Sequence, residues 1–313
     1  HTTTGVWSDS PTVMIGERPV RAGQNILRRA QSLARGQIVL PASRLIRPVE
    51  VGVMSEVGAT EALVQRRPRV AVLATGNELV PAHLSPTGAQ IRNSNGPMLR
   101  ALAEQSGAVS LDLGIARDDE DDLRRHITAG LDADLLVLSG GVSAGVLDLA
   151  PRLLEELGFE RIFHKVHLRP GKPLWFGVRR IGGATTLAFG LPGNPVSGLV
   201  CWELFVRPAL HQLRTGEPFV APEFTATLAA AHEQRGDRPT YWPALVNANH
   251  RDTNLSSVTS GSVTAGASEP TVKLLAWQGS GDLKTLADAN ALAVFPAGDR
   301  RWEAGEPIRV RRF

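Results

Sequence analysis

The stretch Leu138-Ser-Gly-Gly-Val-Ser-Ala-Gly-Val-Leu-Asp148 brings together groups that suit an anionic, phosphorylated ligand. Gly140, Gly141 and Gly145 carry no side chain, so backbone N–H groups stand open to a ligand, and the Ser139 and Ser143 hydroxyls add donors. Asp148 lies near the start of the next helical stretch, where it reads as a site carboxylate or as a helix N-cap. Two more segments end apolar runs in the same way: Thr75-Gly-Asn-Glu78 and Gly190-Leu-Pro-Gly-Asn-Pro195. Carboxylates are available beside them in Glu78, Asp118, Asp119 and Asp148. Mg2+ is held by one or two such groups together with ligand phosphate. Asp118 to Asp122 equally fits an acidic first helical turn favoured by the helix dipole.

The basic counterpart is Phe163-His-Lys-Val-His-Leu-Arg-Pro-Gly-Lys-Pro173. If this segment is a strand, the alternating Lys165, His167 and Arg169 project from one face, and the Pro170-Gly171 turn returns Lys172 to the same place. Lys165, Arg169 and Lys172 then form an oxyanion receptor, with Arg169 able to bind in a bidentate manner. A solvated strand face followed by a turn is the competing reading. His164 and His167 lack the spacing of a zinc site with a third ligand. The sequence contains no nucleophile elbow, Walker loop or Ser/His/Asp arrangement.

The elements that position these groups alternate between strand and helix. Val70–Ala74, Val109–Gly114 and Asp134–Leu138 read as strands, with helices at Asn95–Gln105, Asp119–Gly130 and Leu149–Leu157. Ile162–Leu168, Leu174–Val178 and Thr185–Phe189 continue the sheet with an antiparallel member, and a helix from Pro195 to Arg214 closes the unit, capped by Asn194. The pattern predicts an α/β domain of three layers, a mostly parallel sheet covered on both faces. In such a sheet ligands bind at the carboxyl ends of the strands, so the three glycine loops are expected on one rim.

Flanking regions differ. Residues 1–14 read as the remnant of an N-terminal β domain, with His1–Trp7 resembling the end of a strand, and 15–67 as an α+β dimerisation and linker segment. Within it, Arg18–Ala30 reads as a turn into a short helix, Gly36–Pro41 as a strand and Arg47–Gly58 as a helix with Pro48 in its first turn. The α/β domain spans 68–217. Residues 218–313 read as a small, mainly β, barrel-like domain with strands at Glu223–Ala231, Thr240–Asn247, Val272–Ala276 and Pro307–Val310, a helix at Asp282–Ala289, and a mobile loop or hairpin at Thr253–Ser268.

Composition narrows the class. With 42% hydrophobic and 21% charged residues the chain reads as globular, and a formal charge of only +3 without a dense basic block gives no support for a nucleic-acid partner. Neither a secretory signal nor a membrane-length apolar run occurs, so the expectation is a cytoplasmic protein with no membrane partner. The single cysteine, Cys201, sits in an apolar segment and reads as a small core residue.

Taken together, Val70-Ala-Val-Leu-Ala-Thr-Gly-Asn-Glu-Leu79, Gln90-Ile-Arg-Asn-Ser-Asn95, Gly140-Gly-Val-Ser-Ala-Gly145 with Asp148, Arg169-Pro-Gly-Lys-Pro173 and Gly190-Leu-Pro-Gly-Asn-Pro195 resemble the molybdopterin molybdenumtransferase (MoeA) family, which includes the gephyrin E domain. Gln278-Gly-Ser-Gly-Asp-Leu283 resembles that family's C-terminal domain. The resemblance implies a molybdopterin-binding α/β domain and the last step of molybdenum-cofactor synthesis. Adenylylated molybdopterin binds, molybdate delivers molybdenum to the dithiolene, and AMP leaves in a Mg2+-dependent hydrolysis. It further implies catalytic roles for Glu78, Asp148, Asp118, Lys165, Arg169 and Lys172, and metal roles for Glu78, Asp119 and Asp148. Ligand contacts are implied for Thr75, Gly76, Ser139, Gly140, Gly141, Ser143, Gly145, Pro192, Gly193, Asn194 and Pro195, with Arg238 and Ser280 reaching in from the C-terminal domain. A homodimer is implied as well.

Three departures stand out. Asn77 occupies a position where Asp is common, Arg169 replaces a usual Lys, and the family's N-terminal Asp-Asn-Ser-x-Met-Asp-Gly-like motif does not occur in this sequence. Molybdopterin adenylyltransferase and CinA-like enzymes share the central domain, but Gly140-Gly-Val-Ser143 differs from their Thr-Gly-Gly-Thr-Gly-like loop. A non-catalytic molybdopterin-binding or scaffolding module is the reading from a different class.

Overall fold

The computed structural model describes residues 21–142, 149–247 and 270–313. The described residues up to Leu63 form one unit and those from Val64 onward another. In the first, helix α1 (Pro48–Glu56) begins with Pro48 where the missing N–H costs nothing, after an extended Arg47. Glu50 is buried and paired with Arg44 and Arg47 at 3.0 and 2.6 Å. Among the described residues, neither the helix before Ala30 nor the strand Gly36–Pro41 forms. Local turns replace them. Gln24, Gln31 and Gln37 each accept from the backbone N–H three residues earlier, and Asn25, Ala30 and Ser43 take positive φ values that interrupt any regular element.

Beyond the linker the alternation runs β1 (Arg69–Thr75), β2 (Leu79–Val80), β3 (Ile91–Arg92), α2 (Asn95–Gln105), β4 (Val109–Ala116), α3 (Glu120–Ala129), β5 (Leu135–Ser139), α4 (Leu149–Glu156), β6 (Glu160–His164), β7 (Trp175–Ile181) and β8 (Ala184–Leu191). Helix α5 (Pro195–Cys201) continues through a π-helical turn, Trp202–Val206, into α6 (Arg207–Thr215). The six-stranded sheet has the order β4-β1-β5-β8-β7-β6. β4, β1, β5 and β8 are mutually parallel, and β7 is antiparallel to both of its neighbours. Every residue of β5 is buried, as a strand covered on both faces must be. Leu136 and Leu138 pack with α3 and α4 on one face, while Leu135 and Val137 pack with α2 and the long C-terminal helix on the other.

The segment expected as a strand from Ile162 to Leu168 is a strand only to His164. Lys165 adopts a left-handed φ of 71°, which ends the extended run and leaves Lys165, His167 and Arg169 on a loop rather than on one strand face.

The remaining elements are β9 (Glu223–Leu228), β10 (His232–Gln234), β11 (Thr240–Val246), β12 (Thr271–Leu274), α7 (Leu283–Asp288), β13 (Ala291–Phe295), β14 (Arg300–Trp302) and β15 (Pro307–Arg312). Five of them close a barrel in the order β11-β12-β9-β15-β13. β13 has no counterpart in the sequence reading because all five of its residues are buried, which erases alternation. Ala293 and Phe295 join the barrel core, whereas Leu292 packs against Leu168 and Val200 of the α/β domain. The Thr253–Ser268 loop lies outside the described residues.

His232 stands between Trp242 and Phe295, with ring centroids 4.7 and 4.5 Å away. Burial pushes its pKa below the ordinary 6.5, with Glu233 opposing more weakly. The folded barrel therefore holds the ring neutral, and this contribution to stability is complete above 6.5 and lost as pH falls. Thermal unfolding followed by tryptophan fluorescence from about pH 8 to about pH 5 should show a fall in Tm for the parent chain that His232→Phe reduces. Equal pH dependence of parent and variant would contradict this.

Candidate active site

β1, β5 and β8 are adjacent and parallel, so the loops after Thr75, Ser139 and Leu191 emerge on one rim. Together they line a cavity of about 900 Å3. Thr75, Gly76, Asn77 and Glu78 come from the first loop, Ser139, Gly140 and Gly141 from the second, and Pro192 to Pro195 from the third. Asp118, beyond β4, and Ile91 to Asn95, leading into α2, complete the α/β wall. The C-terminal domain adds Gly281 and Leu283.

Close backbone packing shapes the rim. Gly140 has φ 94°, and a Cβ on it would lie 2.6 Å from the Thr75 carbonyl oxygen. No other residue type fits there without displacement. The Gly140 N–H donates to Leu191 O at 3.0 Å, tying the second loop to the third. Glu78 is exposed and its carboxylate folds back over Gly76, where a Cβ would meet Oε2 at 2.5 Å. Asn77 and Asp118 hold each other reciprocally. The Asn77 N–H donates to Asp118 Oδ2 at 3.3 Å, and the Asp118 N–H donates to Asn77 Oδ1 at 3.1 Å.

Other residues named from the sequence lie elsewhere. Asp119 caps α3, with Oδ1 accepting from the Asp122 N–H at 3.0 Å, as the helix-start reading expected. Lys165, Arg169 and Lys172 are exposed on the loop between β6 and β7, and of that loop only Pro173 lines the cavity. Arg169 is seated against the barrel: its N–H donates to Pro239 O at 2.9 Å and its carbonyl accepts from the Tyr241 N–H at 2.8 Å. Arg238 reaches the same loop, donating to Leu168 O at 3.3 Å. Ser280 docks on the third loop, its Oγ accepting from Asn194 Nδ2 at 2.8 Å and its carbonyl from the Val196 N–H at 3.0 Å. Ser143, Gly145 and Asp148 lie outside the described residues.

Glu78 and Asp118 are the carboxylates on the described cavity wall. Among the described residues, no cluster of three or more His, Cys, Asp or Glu forms an all-protein metal cage. Two carboxylates facing a ligand-sized cavity fit Mg2+ that shares its shell with ligand phosphate, and do not fit zinc. Asn95 was absent from the site residues inferred from sequence. Its signal was the Gln90–Asn95 motif just before a helix start.

Family models match both domains. The one described as a probable molybdopterin binding domain covers residues 71–212, and the MoeA C-terminal region (domain IV) covers 225–313. The chain is thus similar to MoeA proteins in both of these domains. A molybdopterin molybdenumtransferase of Staphylococcus aureus is 31% identical over 304 residues, covering 94% of this chain and 65% of the relative. Its counterpart in Staphylococcus epidermidis is 29% identical over 313 residues, covering 96% and 67%. The solved MoeA structure from Pyrococcus horikoshii superposes with a TM-score of 0.72 at 27% identity, covering 90% of this chain and 63% of that one. This chain thus spans about 65% of the length of the curated relatives it matches first.

The rim geometry makes a direct prediction. Gly140→Ala should cost about 1–3 kcal/mol by overpacking, read as a lowered Tm. A Tm equal to the parent's would show that the Thr75–Gly140 contact yields freely.

Proposed function

We propose that the cavity binds adenylylated molybdopterin and that the protein inserts molybdenum from molybdate into it, releasing AMP in the final step of molybdenum-cofactor synthesis. The observation that carries this reading is the meeting of three glycine-bearing strand-end loops, the carboxylates Glu78 and Asp118, and the C-terminal Gly281 and Leu283 around one cavity. Relatives named molybdopterin molybdenumtransferase support the same reaction.

In this proposal the hydroxyls of Thr75, Ser139 and Ser143, with the side-chain-free surface of Gly76, Gly140, Gly141 and Gly145, hold the ligand's phosphates and pterin edge. Pro192, Gly193, Asn194 and Pro195 shape the opposite wall, with Ser280 and Arg238 contributing from the C-terminal domain. Lys165, Arg169 and Lys172 receive the tetrahedral dianion, since three cations on one loop suit its charge. Glu78 and Asp118 would hold Mg2+, with Asp119 and Asp148 as the further carboxylates named from the sequence. When bound, the ion supplies charge neutralisation at the phosphoanhydride whose P–O bond breaks as AMP departs. Glu78, at the rim, accepts the proton of the attacking water. The protein acts as a cytoplasmic homodimer. No helix among the described residues is long and apolar enough to cross a membrane.

The test supplies adenylylated molybdopterin, molybdate and Mg2+ and measures AMP. Release that stops on chelation of Mg2+ supports the proposal; absence of AMP from a folded, dimeric protein overturns it. Glu78→Gln should lower kcat by about 10²–10⁴-fold, the range for a general base. Asp148→Asn should abolish turnover with an unchanged melting curve, and normal activity would remove Asp148 from the site.

A further inference from the structure

Asn95 occupies the first position of α2, and its side chain joins two of the three loops from the side. Its Nδ2 donates to Ser139 Oγ at 2.8 Å and to Gly193 O at 2.6 Å, linking residues 44 and 98 positions away. One amide nitrogen therefore spans the gap between the end of β5 and the loop after β8.

The bond to Gly193 has a directional consequence. A trans peptide carries its N–H antiparallel to its C=O. Capture of the Gly193 oxygen by Asn95 thus turns the Asn194 N–H away from Asn95. Gly193 and Asn194 both line the cavity. Among the described residues nothing accepts from either of their N–H groups, whereas the next available N–H, that of Val196, is consumed by Ser280 O. The Asn194 N–H is thereby held in a fixed peptide plane on the cavity wall, with the unpaired Gly193 N–H on the preceding peptide beside it, an arrangement that suits ligand oxygens.

A second observation points to the same spot. Thr75 is 4% exposed, and its Oγ1 has no hydrogen-bond partner. Asn95 Oδ1 is likewise buried without a partner. Buried polar atoms are normally satisfied, and an exception on a ligand-sized cavity is accounted for by a group held for a ligand. In Asn95 only the nitrogen is engaged, and it is engaged by the two loops that meet the ligand.

We propose that Asn95 is a positioning residue: its side-chain amide sets the Gly193–Asn194 peptide so that the Asn194 N–H faces bound ligand oxygens. This deepens the function proposed above, and only the ligand arms of the test rest on that function. The variants are Asn95→Asp, which keeps size but replaces both donated hydrogens with an acceptor, and Asn95→Ala, which removes the link without adding charge. Asn95→Gln keeps the amide.

Hydrogen–deuterium exchange of the peptide covering residues 191–196, read at the Val196 amide that bonds Ser280 O, should rise at least about tenfold in the Asp and Ala variants, while Tm stays within a few degrees of the parent's. Titration with AMP should show Kd raised by about tenfold or more in the same two variants and partly restored in Asn95→Gln, with the loss in turnover appearing in KM more than in kcat. Unchanged exchange at 191–196 overturns the proposal whatever the ligand. Raised exchange with no AMP binding by the parent chain instead upholds the positioning of the loop and counts against the proposed reaction. Raised exchange with parental AMP affinity in the variants also overturns it, because the peptide plane would then be irrelevant to the ligand.

Discussion

The site depends on the contact between two strand ends, Thr75 on β1 and Gly140 just beyond β5. Parallel strands in register deliver their termini to one edge, but a cavity forms there only if the chains can turn aside without filling it. A Cβ at Gly140 would stand 2.6 Å from the Thr75 carbonyl oxygen, so a side chain at 140 would push the second loop away from the first. With the glycine, the second loop lies against β1 and still passes its own N–H to Leu191 on the third. The sheet core beneath supports this: Leu135 to Leu138 are fully buried, each worth roughly 1.5–3 kcal/mol on transfer from water. Apolar packing fixes the strands, and the strands fix the polar rim.

Two buried polar atoms at that rim, Thr75 Oγ1 and Asn95 Oδ1, lack a hydrogen-bond partner. Asn77 and Asp118 complete each other. The neutral Asn77 also has an electrostatic effect. An Asp in its place would add a third carboxylate beside Glu78 and Asp118, and its oxygens would repel Asp118 unless a cation lay between them. The C-terminal barrel contributes by contact rather than by charge. Ser280 holds Asn194 and Val196, Leu286 packs on Val196 and Leu199, and Gly281 thereby reaches the cavity.

Long-period and continuous apolar patterns were legible in the sequence. Helix α2 has the bounds its pattern predicts, and β1, β4, β5 and α4 agree within a residue or two. β13 escaped because a strand buried on both sides loses its alternation, and β10 and β14, at three residues each, are too short to carry one. Of the segment Ile162 to Leu168 that the pattern presents as strand, Lys165 to Leu168 is loop. Its alternating charges have the period of a strand, yet Lys165 leaves the extended region and Arg169 pairs with the barrel instead of the sheet. In residues 21–47 the glutamine-capped turns override a weak propensity for helix and strand that no buried packing among the described residues reinforces.

By itself, the sequence determined the strand–helix alternation, the glycines at strand ends and the set of carboxylates and cations available, since these follow from local pattern and residue chemistry. Tertiary structure decided which of them meet. Asn77 finds Asp118 across 41 residues, and Asn95 finds Ser139 across 44 and Gly193 across 98. No local rule encodes such pairs, because sheet order places β5 between β1 and β8 regardless of their distance along the chain. The start of α3 takes Asp119 as its cap and so keeps it off the cavity wall that carries Glu78 and Asp118.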